Sequence, residues 1–210
     1  MQSLKDKAYQ KIKFDITIGK FKPGNFLTEE KLSENMNMSR GPIREALNRL
    51  EKEGFVSIIP RRGTMISNIT AQEVKEISKI RELLEPLAAK DSMIKISISG
   101  LKEIKNDFIL LLSKPENKEN KMHFFALDEK FHKLLYENCG NKKLIDILHD
   151  FEDHTNWFIN LFLKNYSIKA SIKEHLAIIE AIESKNENQV ADNLLKHLER
   201  VKNNILSELG

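Results

Sequence analysis

The sequence predicts a mainly α-helical protein in which a small N-terminal α+β unit precedes an antiparallel α-helical bundle. Between residues 27 and 67, two short helical patterns are followed by two strand patterns. After residue 70, nearly every segment has apolar residues at helical spacing. The 210 residues suffice for two modest domains, which we place at 1–69 and 70–210.

Two helices joined by a tight turn are predicted at the start of the N-terminal unit. Thr28 is suited to cap the first helix, and residues 35–38 form the turn. Ser39 can cap the second helix, whose apolar positions recur at helical spacing until Gly54 ends it. This order of elements is typical of a helix-turn-helix, which inserts its second helix into the major groove of DNA.

The start of the second helix carries side chains suited to contact DNA. Arg40 and Arg44 lie four residues apart at the end that enters the groove. A guanidinium there can form two hydrogen bonds with guanine or pair with a phosphate. We therefore predict DNA contacts at Ser39, Arg40, Gly41 and Arg44.

A β-hairpin with a basic tip is predicted directly after these helices. Residues 55–59 and 64–67 are rich in β-branched side chains, and Pro60 begins the turn between them. A glycine in the turn permits a positive φ, and a basic tip beside the second helix can contact the DNA backbone or minor groove. The hairpin completes a winged helix-turn-helix and adds three candidate DNA contacts: Arg61, Arg62 and Gly63.

The charge distribution agrees with this interpretation. Residues 1–69 contain 13 Lys and Arg against 8 Asp and Glu, whereas the rest of the chain contains 21 against 23. A domain that faces phosphates needs that positive bias. The single cysteine permits no intrachain disulfide, and we find neither a secretory leader nor an apolar run long enough to cross a bilayer. We expect a cytoplasmic protein with no membrane partner.

Six helices are predicted after residue 70, separated by polar or glycine-containing turns. Pro86 can kink or divide the first of them. The predicted ranges are 71–96, 100–113, 121–138, 142–164, 168–184 and 189–209.

Four ionisable residues occupy predicted buried faces of these helices. Asp128 and His132 share the apolar face of the third helix, and His175 and His197 lie on those of the last two. The midpoint of 175 and 197 falls in the polar turn 185–188, so an antiparallel hairpin places both imidazoles at equal height, about 16 Å from the turn. Asp128 and His132, four residues apart, can converge on the same point.

One carboxylate and three imidazoles suit a single divalent ion such as Zn²⁺, Ni²⁺ or Mn²⁺, and they leave positions for water or an organic acid. Each inward histidine can instead be a hydrogen-bonded core residue, and Asp128 a buried ion-pair partner. Two further side chains are candidates for contact with an effector. Arg81 can bind a ligand carboxylate or form an exposed helical ion pair with Glu85, and His154 can line a pocket or belong to the core.

The N-terminal motif resembles the winged helix-turn-helix of GntR-family bacterial transcription regulators. Gly41 stands where that family often has Thr or Ser, and Glu30 where a basic residue is common. The matching order and spacing is carried by Gly19-Lys20-Phe21-Lys22-Pro23-Gly24, Leu27-Thr28-Glu29, Ser39-Arg40, Pro42-Ile43-Arg44-Glu45-Ala46-Leu47, Glu53-Gly54 and Gly63.

The helical part resembles the FCD effector domain of the FadR subgroup. The similarity is carried by Asp128-Glu129-Lys130-Phe131-His132, Glu174-His175 and His197-Leu198. In metal-containing members this pattern implies that one Asp and three His bind one ion, and all four positions are filled here. The resemblance also implies a repressor more often than an activator, with a small carboxylate metabolite as effector.

Together these patterns predict a transcription regulator, not an enzyme, that acts as a homodimer on pseudo-palindromic double-stranded operator DNA. The strongest alternative is a metal-dependent hydrolase with a DNA-binding domain, because the same four ligands can activate water. The sequence shows neither a general base beside them nor a His-Glu-x-x-His helix or a glycine-rich phosphate loop. An architectural DNA-binding protein with a structural metal is the third interpretation.

Overall fold

The computed structural model describes residues 3–162 and 166–209, which group into two compact units. The N-terminal unit contains the described residues up to 71 and the segment 153–162. The helical unit contains residues 72–152 and the described residues from 166 on. The first division falls close to the predicted boundary, whereas the second falls inside one long helix.

The N-terminal unit contains three short helices and a three-stranded sheet, in the predicted order with two additions. Its helices α1, α2 and α3 span Leu4–Thr17, Glu29–Met36 and Arg40–Lys52, and its strands β1, β2 and β3 span Phe26–Leu27, Val56–Ile59 and Gly63–Ile66. The strands form an antiparallel sheet in the order β1-β3-β2. The predicted winged helix-turn-helix is therefore confirmed, and α1 and β1 are the elements that the sequence analysis missed.

Local interactions explain why the helix-turn-helix forms where it does. Thr28 caps α2, because its side chain accepts a hydrogen bond from the backbone N–H of Lys31. Asn37 adopts the left-handed conformation that ends α2 and turns the chain towards α3. Gly54, with φ +85°, ends the second helix as predicted. Helix α1 buries Ala8, Ile12 and Ile16 and packs against α3.

The helical unit is built from the six predicted helices. They are α4 (Ala71–Ser92), α5 (Ile98–Leu112), α6 (Lys118–Tyr136), α7 (Lys142–Phe162), α8 (Ile168–Glu183) and α9 (Glu187–Leu209). Helix α4 continues through Pro86 without being divided, and it ends at Ser92, four residues before the predicted end. The predicted end of α7, at residues 163 and 164, lies outside the described residues. Within the described ranges, no helix is long and apolar enough to cross a membrane.

Helices α8 and α9 form an antiparallel hairpin. The side chain of Asn193 donates a hydrogen bond to the backbone oxygen of Ala177, and Arg200 on α9 contacts Ser171 on α8. In both pairs the two residues lie at nearly equal distances in sequence from residue 186, the midpoint of 175 and 197. The helices are therefore paired in the register that places His175 and His197 at equal height. The core beside this hairpin includes Phe108 from α5 and Phe124 and Phe131 from α6, all fully buried.

Candidate functional site

The four inward ionisable residues from α6, α8 and α9 converge in the helical unit. One ligand atom from each of Asp128, His132, His175 and His197 lies within 4.8 Å of the others. His175 Nε2 lies 3.3 Å from His197 Nε2 and 3.3 Å from Asp128 Oδ1. The three histidines are buried, and Asp128 is mostly buried. The structure therefore brings together the two histidines that helix counting had placed at one height and the pair on α6 that was expected to converge with them.

Two of the three imidazoles are held from outside the cluster by carboxylates. His132 Nδ1 lies 2.8 Å from Glu85 Oε2, and His197 Nδ1 lies 2.7 Å from Glu174 Oε2. Because a carboxylate accepts hydrogen bonds, each Nδ1 carries a proton, which leaves Nε2 as the ring nitrogen for a ligand. The sequence analysis missed these partners of the histidines, although Glu85 was named as an ion-pair partner of Arg81.

The third imidazole is held by aromatic packing. The ring centroid of His175 lies 5.0 Å from that of Phe108, 5.9 Å from that of Phe124 and 4.9 Å from that of Phe131. Within the described part of the chain, His175 Nδ1 is buried without a hydrogen-bond partner. A polar atom in that position costs free energy unless the rest of the side chain gains from a strong interaction elsewhere.

Burial and neighbouring charges set the protonation of the cluster. Burial, together with His197 and His132, lowers the pKa of His175 well below its usual value, so its imidazole is neutral. Burial also lowers the pKa of His197 against the opposing effect of Glu174. For His132, burial alone would lower the pKa, but the carboxylate of Glu85 outweighs it and raises the pKa. The neutral imidazoles of His175 and His197, beside the carboxylate of Asp128, are suitable donors for a borderline divalent cation.

Arg81 forms an ion pair with Glu85, the interaction that the sequence analysis had set against an effector contact. The pair is largely buried, whereas an exposed pair was expected. Burial alone would raise the pKa of Glu85, but Arg81 and His132 outweigh it and lower the pKa to about 2. The carboxylate therefore stays ionised beside His132.

His154 belongs to the N-terminal unit. Its Nε2–H donates a hydrogen bond to the backbone oxygen of Glu53 at 2.9 Å. The imidazole stacks on Phe55, with ring centroids 4.3 Å apart and an interplanar angle of 23°. This is the environment of a core residue, one of the two alternatives that the sequence left open.

The candidate DNA-contact residues lie on the surface of the N-terminal unit. Arg40 Nη2 lies 2.9 Å from Glu30 Oε1. The side chain of Arg44 is 64% exposed, and its Nε and Nη2 each donate to a carboxylate oxygen of Glu29 at 2.8 Å. Among the described residues, no atom beyond the neighbouring residues and backbone of its own helix lies within 4 Å of the place where a Cβ would be on Gly41, so the start of α3 is open. Sequence reasoning did not anticipate that the acidic residues of α2 would hold both arginines.

The hairpin tip has the predicted composition and an unusual backbone. Arg61 has φ +64°, and Gly63 has φ +104°. A Cβ on Gly63 would lie 3.3 Å from the backbone oxygen of Leu27, so this position favours glycine for its space as well as its φ. The guanidinium of Arg62 lies 5.6 Å from the ring centroid of Phe26. Both arginines thus stand on a tightly turned tip.

Comparison with known proteins identifies the family. Residues 4–66 match the model of the bacterial regulatory proteins of the gntR family, and residues 76–200 match that of the FCD domain. The chain belongs to the GntR family of transcription regulators and carries an FCD domain. It is 31% identical to the HTH-type transcriptional regulator YdhC of Bacillus subtilis (strain 168), over 90% of this chain and 85% of that protein.

Two further proteins are similar over nearly the whole chain. The HTH-type transcriptional repressor RspR of Escherichia coli (strain K12) is 24% identical, with 97% of this chain and 90% of that protein covered. The solved structure of E. coli McbR/YncC has a TM-score of 0.85 at 19% identity, with both chains fully covered. The predictions of a DNA-binding transcription regulator and of its fold are confirmed, and this GntR-family chain is not the hydrolase considered as an alternative.

We predict that His154 makes the stability of the N-terminal unit depend on pH. Burial lowers the pKa of His154, with smaller and partly opposing effects of Glu53 and Lys13. The unfolded chain takes up a proton near pH 6.5, where the native imidazole does not, so the stabilisation is present above that pH and is lost as the pH falls below it. The limiting slope is about 1.4 kcal/mol per pH unit for one proton.

The test compares wild type with His154→Gln by chemical unfolding, followed by fluorescence of Trp157, the single and buried tryptophan of this unit. The stability difference between the two proteins should shrink between pH 7.5 and 5.5. A difference that stays constant over this range would contradict the prediction.

Proposed function

We propose that this protein is a homodimeric repressor whose affinity for a pseudo-palindromic operator is controlled by a small organic acid, which binds at a divalent metal ion in each FCD domain. The observation that carries the proposal is the convergence of Asp128, His132, His175 and His197 on one point. Four ligand atoms within 4.8 Å of one another, three of them on buried imidazoles, are difficult to explain as an ordinary apolar core.

The donor set fits one Zn²⁺, Ni²⁺ or Mn²⁺ ion per subunit. Imidazole and carboxylate donors suit these ions, and binding requires neutral imidazoles, which burial favours at His175 and His197. A bound ion would supply open coordination positions for the carboxylate of an effector. It would also take up the lone pairs of the three imidazoles, which explains why their burial is tolerated.

The winged helix-turn-helix supplies the surface for the operator. We assign base contacts to the start of α3, at Ser39, Arg40, Gly41 and Arg44, and backbone contacts to the hairpin tip, at Arg61, Arg62 and Gly63. Glu29 engages two of the five donors of Arg44 and orients its guanidinium in the absence of DNA. The remaining donors can face a guanine edge.

The repressor role and the dimer are supported by less direct arguments. RspR, one of the two relatives described above, is named as a repressor. A two-fold dimer presents two identical recognition helices and therefore matches a pseudo-palindromic operator. A single copy would contact only one half-site with its seven assigned residues.

The effector must act indirectly on operator binding. The proposed metal ligands belong to the helical unit, whereas Arg40 and Arg44 belong to the N-terminal unit. The acid does not compete with DNA for the arginines, so it can change operator affinity only by binding more tightly to one arrangement of the dimer than to another. Arg81 stays a candidate for contact with the acid.

We expect Arg44→Ala to weaken binding to the operator by about 1–3 kcal/mol and to relax the preference for one base pair, because a base contact is lost. Arg61→Ala and Arg62→Ala should weaken binding to all sequences alike and reduce its salt dependence, because they remove phosphate contacts. Fluorescence anisotropy on genomic fragments selected by the protein, and on scrambled fragments, distinguishes these effects.

Lys102→Ala, at an exposed position on α5, is the control for loss of one positive charge and should bind like wild type. An Arg44→Ala variant with unchanged affinity and sequence preference would show that α3 does not read the operator in the assigned way.

We expect His175→Ala and His197→Ala to remove most of the bound metal while the winged helix-turn-helix stays folded, because both ligands lie in the helical unit. Elemental analysis after dialysis measures metal content, and Trp157 fluorescence reports the N-terminal unit. His123→Ala, at an exposed position on α6, is the matched control and should retain the metal. Stoichiometric metal in the double variant His175→Ala/His197→Ala would show that these histidines are core residues.

A further inference from the structure

Glu174 is held by an arginine as well as by its histidine. Arg200 Nε lies 2.5 Å from Glu174 Oε1, and Arg200 Nη2 lies 2.7 Å from Glu174 Oε2. Arg200 Nη2 also lies 2.7 Å from the hydroxyl oxygen of Tyr166. The guanidinium therefore fixes both oxygens of the carboxylate to which His197 Nδ1 donates.

Glu85 is held in the same way on a different helix. Its Oε2 accepts the hydrogen bond from His132 Nδ1, while its Oε1 pairs with Arg81 one helical turn earlier on α4. Each carboxylate thus binds a histidine through one oxygen and an arginine through the other, and Arg200 also contacts the Glu174 oxygen that His197 uses. The pattern recurs although one carboxylate lies on α4 and the other on α8.

We propose that Glu174 with Arg200 and Glu85 with Arg81 form two carboxylate-arginine clamps that position the imidazoles of His197 and His132 for the metal ion. This inference rests on the metal centre proposed above. Each clamp fixes the rotation of an imidazole ring and keeps the proton on Nδ1, so that Nε2 faces the ion. Glu174, Arg200, Glu85 and Arg81 are positioning residues, since none of them is assigned as a ligand.

The clamps also explain how the site can accept an anionic effector. Each arginine balances the charge of its carboxylate, so a clamp orients a histidine without adding net negative charge. Asp128 is then the only anionic ligand among the four, and a divalent ion keeps a net positive charge. That charge favours an organic anion at the open coordination positions.

His175 supplies a contrast within the same site. Its ring is held by Phe108, Phe124 and Phe131, and its Nδ1 has no hydrogen-bond partner in the described ranges. Loss of a clamp should therefore act first on the histidine that it holds, whereas His175, whose Nδ1 has no partner to lose, can change only through its contact with His197. A loss of packing throughout the bundle would instead disturb all three histidines directly.

The first measurement is the dissociation constant for Zn²⁺ by chelator competition at fixed pH. Glu174→Gln and Glu85→Gln keep the size of the side chain and remove its charge. We expect Zn²⁺ to bind about 10–100-fold more weakly to each, as for other partners of metal-bound histidines. Glu183→Gln is the matched control, because Glu183 also lies on α8 and forms an interhelical ion pair, with Lys105 at 2.6 Å. It should bind Zn²⁺ like wild type.

The second measurement is the tautomer of each histidine in the metal-free protein, from ¹⁵N chemical shifts of labelled imidazoles. Glu174→Leu should reduce the Nδ1–H tautomer of His197 and leave the Nδ1 proton of His132, which Glu85 holds, in place. If the leucine variant does not fold, the Zn²⁺ affinities of the glutamine variants still test whether the clamps position the histidines.

The outcomes separate the two proposals. A folded wild-type protein that binds no Zn²⁺ at the cluster would overturn the metal centre itself. A wild-type protein that binds Zn²⁺, with glutamine variants that match the Glu183→Gln control, would overturn the clamps and leave the metal centre standing.

Discussion

The antiparallel pairing of α8 with α9 is the constraint on which the candidate metal centre depends. It brings His175 Nε2 and His197 Nε2 to 3.3 Å, although the residues are 22 apart in sequence. The helical rise and the short turn at residues 185 and 186 fix this height, so a shift of one residue in either helix would rotate one imidazole out of the cluster by about 100°. The ligands contributed by α6 can then complete the site only if that helix packs against the same hairpin.

The cluster shows how buried polar groups can be tolerated when each has a partner. Glu85 stays ionised because Arg81 and His132 offset the cost of its burial. Glu174 is stabilised likewise by His197 and Arg200, which outweigh the effect of burial and lower its pKa. His175 has no such partner on Nδ1, and the proposed ion accounts for its position by engaging Nε2. The ion pairs of Arg40 and Arg44 are instead exposed on the arginine side, so these side chains can leave them at little cost when they meet DNA.

Helical periodicity was sufficient to predict the four clustered residues, because the turn at 185–188 defines the hairpin and a four-residue spacing defines the face shared by Asp128 and His132. The winged helix-turn-helix was predictable because its caps, glycines and arginines stand at fixed offsets. Periodicity could not reveal that Glu85 binds His132, since this contact depends on how α4 packs against α6. Strand β1 has two residues and forms only by pairing with β3, so no local pattern marks it. The division between the two units inside α7 was not predictable either, because the apolar pattern of this helix continues without a break through residues 152 and 153.

The central claim is that an acid bound at the metal centre controls operator affinity. Calorimetric titration of a chelating carboxylic acid such as citrate into metal-loaded protein, free and operator-bound, tests it most directly, with related acids taken in turn. For the acid that is the effector, we predict affinities that differ between the two states by about 5–150-fold, a typical allosteric coupling, and the same factor must appear in operator affinity. Removal of the metal should abolish this coupling and leave operator binding. Equal affinities for free and operator-bound protein, for every acid that binds the metal, would contradict the account.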